Sequence, residues 1–347
     1  MCRNTAEVLV LLKNLCNFVA VELIRRLKYH LVAFIVVAIW GSTFVFTKML
    51  LQAGLTPAQI FTFRFIIAYV LLALYSVGRT VKKEWGRANH IFHLSSFISH
   101  FSSFISHLFC NNWRDELLML ALGVTGGSVY FLAENAAMLY TTATNTSLIV
   151  CSCPLFAMLL FAVFYRQSEP ITRVQALGSV IACLGMAVVV LNGHFVLHLS
   201  PLGDLLAFGA CLCWAVYSIL MQPALQRYDT LFITRKVFFY GLLTIIPYFL
   251  LVPEEARIFN SSIFQFFNSS ILLNLLFLGI VASMLCFLVW NWVISKLGAV
   301  VATNWVYLNP LTTILFAWWL LDEQITVWFL LGSALILVGM YLADRKK

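Results

Sequence analysis

The sequence predicts an all-α polytopic membrane protein, with ten transmembrane helices arranged as two inverted five-helix repeats. Three observations predict it. Of the 347 residues, 62% are hydrophobic and 10% charged, against roughly a quarter charged in ordinary soluble domains. Apolar runs of about 20 residues recur along the chain, the length that crosses a bilayer as a helix. The landmarks of the first half return in the second half, in the same order. With a mean hydropathy of +0.93, the chain has too few charges to cover a soluble surface. This excludes a soluble enzyme, a nucleic-acid binder and a disordered protein. A β-barrel would need alternating segments of ~10 residues instead.

The elements follow in order. Residues 1–30 form an N-terminal extension: 6–24 are apolar but carry Glu7, Lys13 and Glu22. No small-residue cleavage site follows, which argues against a signal peptide. An interfacial amphipathic helix and an extension without a transport role both fit. The first repeat, 31–192, holds spans near 31–50, 57–77, 117–138, 143–165 and 172–192. The second, 202–343, holds spans near 202–222, 231–252, 272–294, 298–320 and 326–343. Two tandem duplications interrupt this pattern. SSFISH occurs twice within a loop insertion at about 88–112, and FNSSI twice around an insertion at about 257–271. The first spaces His93, His100 and His107 seven apart. That spacing would suit one helix face, but a repeated unit that carries a histidine explains it without a metal.

Loop charges set the orientation. With the N-terminus in the cytoplasm, nineteen of the 22 Lys and Arg lie on the cytoplasmic side, and Arg257 alone lies outside. Lys48 and Arg64 remain inside spans. The split follows the positive-inside rule. It places both termini in the cytoplasm and the chain in the plasma (inner) membrane. The net charge of +8 therefore reads as topology, with no nucleic-acid partner. The nine cysteines mostly sit in apolar runs as small packing residues. No metal and no cofactor is expected.

The internal repeat aligns Trp40 with Trp214, Arg64 with Arg235, Asn135 with Asn291 and Pro154 with Pro310. It also aligns Glu169 with Glu323, Gly178 with Gly332 and Gly185 with Gly339. Five spans per half is odd, so the second half enters the membrane in the opposite sense. Secondary transporters use this architecture for alternating access. The glutamates read as caps of the helices that follow. The glycines, seven apart in each half, permit spans five and ten to pack closely.

The residues resemble the EamA family of the drug/metabolite transporter superfamily. WGSTF in span one, FRF in span two and YTTATNTSLIVCSCPLFAMLLFAVFYRQSEPIT carry the likeness in the first half. LGAVVATNWVYLNPLTTILFAWWLLDEQIT answers in the second. The resemblance covers about 31–343. It implies ten helices, a central cavity between the halves and transport of a small metabolite, often an amino acid or related solute or a nucleotide-sugar-like one, in many members by export.

Charges inside spans are costly and default to a functional reading. Lys48, Arg64 and Glu134 all fall in the outer half of the bilayer. One acid at the depth of two cations suggests an outer gate of paired charges. Lys48 could instead snorkel to the headgroups, and Arg64 could belong to a structural ion pair. Glu134 could be that pair's anion or a proton carrier, so protons are a candidate coupling ion. Asn135 and Asn291 offer donors and acceptors to a solute, or bond helix to helix. Trp40, Trp290 and Tyr307 could wall an apolar moiety, or simply pack. Asn309-Pro310 and Cys153-Pro154 break the backbone ladder of equivalent spans, as at transporter binding sites or as kinks for shape. A homodimer is a candidate assembly. A membrane-embedded enzyme is the alternative, as is a membrane protein that transports nothing. An enzyme would want a histidine constellation inside the spans, and no span holds a histidine. The chain is therefore read as no enzyme.

Overall fold

The computed structural model describes residues 2–85, 109–141, 143–165, 171–191, 200–256, 269–321 and 326–343. The described residues are helical throughout, joined by short turns, and contain no strand. Helix α1 runs Cys2–Gln52 and α2 Pro57–Trp85. Helix α3 spans Trp113–Tyr140 with a π-helical turn at Val124–Ser128. Helix α4 comprises Ala143–Val150 and Cys153–Phe164, and α5 is Arg173–Leu191. Helix α6 is Pro201–Arg227, and α7 is Thr230–Thr244 continued by Ile246–Leu251. Helix α8 spans Ser269–Leu297 with a π-helical segment at Phe277–Leu285. Helix α9 comprises Ala299–Asn304, a 3-10 stretch Trp305–Leu308 and Asn309–Leu321. Helix α10 is Val327–Ala343.

Among the described residues, eight helices are long and apolar enough to cross a membrane. The two others are shorter apolar stretches, Arg173–Val188 and Leu330–Ala343, within α5 and α10. Large apolar side chains such as Val163, Leu205, Leu250 and Leu337 face outward. In water that surface would be an aggregation hazard; against lipid tails it is the expected exterior. The chain is a multi-span helical membrane protein.

The N-terminal extension is helical and continuous with the first span, where the sequence left its form open. No glycine or proline occurs before Gly41, so nothing in the chain interrupts the helix. The proline breaks expected in α4 and α9 are present. Pro154 opens the second segment of α4, and the backbone turns at Ser152, whose N–H reaches the Ile149 carbonyl at 3.2 Å. In α9 the ladder tightens to 3-10 geometry just before Asn309-Pro310. The cause is the same in both: proline lacks the N–H and crowds the carbonyl one turn back.

Helix α3 packs on α6 and α7, α8 on α1 and α2, α4 on α6, α9 on α1, and α2 on α7. The most extensive contact joins α5 to α10. A Cβ built on Gly178 would lie 2.4 Å from the Ala343 nitrogen, and one on Gly339 would lie 2.3 Å from the Ala182 nitrogen. The two backbones therefore touch, as the glycine spacing predicted. The SSFISH and FNSSI duplications lie outside the described residues for the most part, as do His93, His100, His107, Glu169 and Glu323.

Candidate functional site

A small cavity opens among α1, α2, α3, α4, α6, α8 and α9. Each helix supplies residues for a local reason. On α1, Trp40, Thr43 and Phe44 share a face by helical spacing. Arg64 comes from α2, Tyr130 and Glu134 from consecutive turns of α3, Cys153 from the break in α4, and Asn309 from the break in α9. Trp214 of α6 and Phe287 of α8 complete an aromatic wall. Trp40 and Trp214, repeat partners in the sequence, meet edge to face with ring centroids 5.4 Å apart.

Arg64 is almost fully buried. Its Nε donates to Ser283 Oγ at 2.9 Å, and its guanidinium lies 4.2 Å from the Phe131 ring centroid. The stack and the bond fix the plane of the fork and leave its remaining N–H groups as the charged donors of the wall. Glu134 is buried as well, and its Oε2 has no hydrogen-bond partner. Its ionisable neighbours are Arg64 and Tyr130. Asn309 Oδ1 is likewise buried and unpartnered. Unpartnered acceptors in a closed interior cost stability, so two of them on one cavity wall mark it as a place that receives donors.

The site residues predicted from sequence divide into two groups. Trp40, Arg64, Glu134 and Asn309 line the cavity. Lys48 does not: its Nζ donates to the Met138 carbonyl at 2.7 Å, one turn beyond Glu134. No direct ion pair joins Lys48 or Arg64 to Glu134 in this conformation, so the paired gate expected from their depths is not formed by contact. A free carbonyl at the end of α3 competes for the ammonium, and Arg64 is held by Ser283 and Phe131. Asn135 Nδ2 donates to the Pro57 carbonyl at 3.2 Å. Asn291 donates to Thr234 Oγ1 at 2.9 Å and accepts from the Tyr217 hydroxyl at 2.8 Å. Both asparagines are thus engaged between helices. Trp290 is fully buried against Trp40, centroids 5.0 Å apart, and Tyr307 is fully buried too; neither lines the cavity.

Sequence reasoning missed Tyr130, Trp214, Thr43, Phe287 and Ser283 as parts of this neighbourhood. Tyr130 stands four residues before Glu134 and Thr43 three after Trp40, so helical spacing pointed to both. Ser283 carried no signal, because the π-helical geometry that surrounds it cannot be read from composition.

A second polar cluster lies at the start of α3. Asp115 accepts from the Arg227 guanidinium and, at 2.8 Å, from the Tyr228 hydroxyl. Glu116 accepts from Lys236 Nζ at 2.7 Å, from the Tyr240 hydroxyl and from the Cys110 N–H at 2.7 Å. Burial, then the Glu116 carboxylate, pushes the Cys110 thiol up to about 11, so it stays protonated and adds no charge. Among the described residues, no group of three histidine, cysteine or acidic side chains could hold a metal ion.

Comparison with known proteins places this architecture. The EamA-like transporter family matches residues 27–191 and again 201–343. A protein of Archaeoglobus fulgidus named as an uncharacterized transporter is 26% identical over 327 residues, covering 92% of this chain and 98% of its own. A probable terminal-alkyne amino-acid exporter of Streptantibioticus cattleyicolor is 28% identical over 232 residues, covering 67% of this chain and 74% of its own. A solved crystal structure superposes with a TM-score of 0.65 at 18% identity, over 92% of this chain and 97% of that one, a likeness of fold. The match over both halves makes the chain a member of the EamA-like transporter family.

Proposed function

We propose that this transporter moves a small zwitterionic solute, an amino acid or a related metabolite, out of the cell by alternating access. The observation that carries the reading is one cavity wall bearing both Arg64 and Glu134, with aromatic rings between α1 and α6. A guanidinium suits a carboxylate. The free acceptors of Glu134 and Asn309 suit an ammonium. Trp40, Trp214 and Phe287 suit the apolar remainder. The named activity of the Streptantibioticus cattleyicolor relative, an amino-acid exporter, agrees with this chemistry.

Ten crossings in two inverted halves supply the mechanism. The helix contacts support the inversion, since exchanging α1–α5 with α6–α10 turns α3–α6 into α8–α1, and α3–α7 into α8–α2. The same exchange turns α4–α6 into α9–α1. Both π-helical segments fall in α3 and α8, which the exchange relates. Two such halves can rock about a central site and expose it to each side in turn. The loop charges support cytoplasmic termini in the plasma membrane. Glu134 is the residue assigned to proton coupling.

The test is flux in reconstituted vesicles, with a panel of amino acids and related solutes, with and without a proton gradient. Glu134→Gln should abolish gradient-driven flux while leaving the purified protein folded and monodisperse. Wild-type flux in that variant would remove Glu134 from both binding and coupling.

A further inference from the structure

We infer that the Asp115/Glu116 cluster is a one-sided clasp that holds one face of the transporter shut and biases its resting conformation. The inference rests on the alternating-access reading above. The cluster joins the start of α3, in the first half of the chain, to the end of α6 and the start of α7, in the second. Asp115 binds Arg227 and Tyr228, and Glu116 binds Lys236 and Tyr240. The Tyr228 hydroxyl also accepts from the Asn111 N–H at 3.0 Å. These are charge-assisted bonds between parts that must separate if this face is to open.

Two features make it a clasp rather than surface decoration. Asp115 and Lys236 are buried, with 4% and 5% of their side chains exposed, so neither charge is left to water. The cavity lies away from it: Tyr130 sits fourteen residues further along α3, roughly 20 Å at the rise of an α-helix. Between them Phe65 packs edge to face on Phe238, centroids 4.7 Å apart. The cavity is thus sealed from the clasp end by packed rings and then by ion pairs.

The repeat does not carry these two carboxylates to the opposite face. At the offset that relates Asn135 to Asn291, the positions of Asp115 and Glu116 are taken by Ile271 and Leu272. Opening the opposite face therefore breaks no ion pair at these equivalent positions. A conformation with the clasp closed gains these bonds and its inverted partner does not, which is how a repeat of two like halves acquires a preferred state. By the loop charges, the clasped face is the cytoplasmic one.

The experiment reads accessibility with no solute present. Cys153, which lines the cavity, is kept as reporter and the other cysteines are replaced. Labelling by a membrane-impermeant maleimide is timed from each side of oriented vesicles. Asp115→Asn with Glu116→Gln should raise labelling from the clasped face by about tenfold, the population shift that follows loss of a charge-assisted bond from one state, and lower it from the other. Exchanging the charges, Glu116→Lys with Lys236→Glu, should recover part of the parent rate, since the ion pair returns while the Cys110 N–H loses its acceptor. Arg227→Gln, at a side chain 56% exposed and so safe for folding, should give a smaller rise in the same direction. Parent rates from both faces in Arg227→Gln and in the double variant would overturn the clasp. Responsive labelling in a protein that moves no solute would instead fail the transport reading and leave the clasp standing.

Discussion

At the residue scale, Arg64 is the side chain whose surroundings are most specific. It is fixed by one hydrogen bond to Ser283 and by stacking on Phe131. A lysine offers a point charge with neither the Nε–H nor the plane. Arg64→Lys is expected to reduce solute flux by about tenfold or more, since a bidentate carboxylate contact is lost, while the protein stays folded. Ser283→Ala should lower apparent affinity less, with the guanidinium retained but less well aimed. Measuring flux against solute concentration for the two variants separates these effects. Equal flux in Arg64→Lys and the parent would show that the charge alone suffices. That Arg64 and Glu134 would face an internal cavity was legible from their placement in apolar spans, because an intramembrane charge needs a reason. That Lys48 would serve the end of α3, and not Glu134, was not legible. The choice depends on which carbonyl the side chain reaches, and depth alone does not specify it.

At the element scale, helices α5 and α10 meet backbone to backbone through Gly178, Gly185 and Gly339. Gly178→Leu or Gly339→Leu must push the helices apart. The cost is about 1–3 kcal/mol by the usual range for overpacking, seen as a lower melting temperature in detergent. An unchanged melting temperature would mean that the seam yields freely. This contact was readable from the seven-residue spacing of small residues in both spans. So were the breaks at Pro154 and Pro310, since an imino acid has no N–H to give. The π-helical segment at Phe277–Leu285 was not readable, whereas the turn at Val124–Ser128 carries Gly126-Gly127, with Gly127 outside helical geometry, a pair that invites a kink. Over Phe277–Leu285 no proline or glycine pair marks the i→i+5 pattern, which reflects tertiary packing. Its consequence is that Ser283 was overlooked although it holds Arg64.

At the scale of the whole molecule, the division into halves was legible because an internal repeat preserves order even where identity is low. Trp40 and Trp214 are one such pair, and their rings meet at the cavity. The side of the membrane on which each loop lies is a separate matter. If both termini are cytoplasmic, protease or antibody added outside intact cells should reach neither an N-terminal nor a C-terminal tag, and both should become accessible on lysis. Access to a single tag in intact cells would require an odd number of crossings.

The α5–α10 seam has a mechanical consequence. It is built on the close approach of the two backbones at Gly178, Gly185 and Gly339. At those glycines the contact is van der Waals packing, which is not directional, as one helix shifts against the other. It behaves as a bearing: it fixes the separation of the two parts while offering little friction to their relative rotation. Resistance to motion must then reside elsewhere, in the polar bonds at the bundle end, and a substitution that roughens the bearing should slow movement in both directions alike.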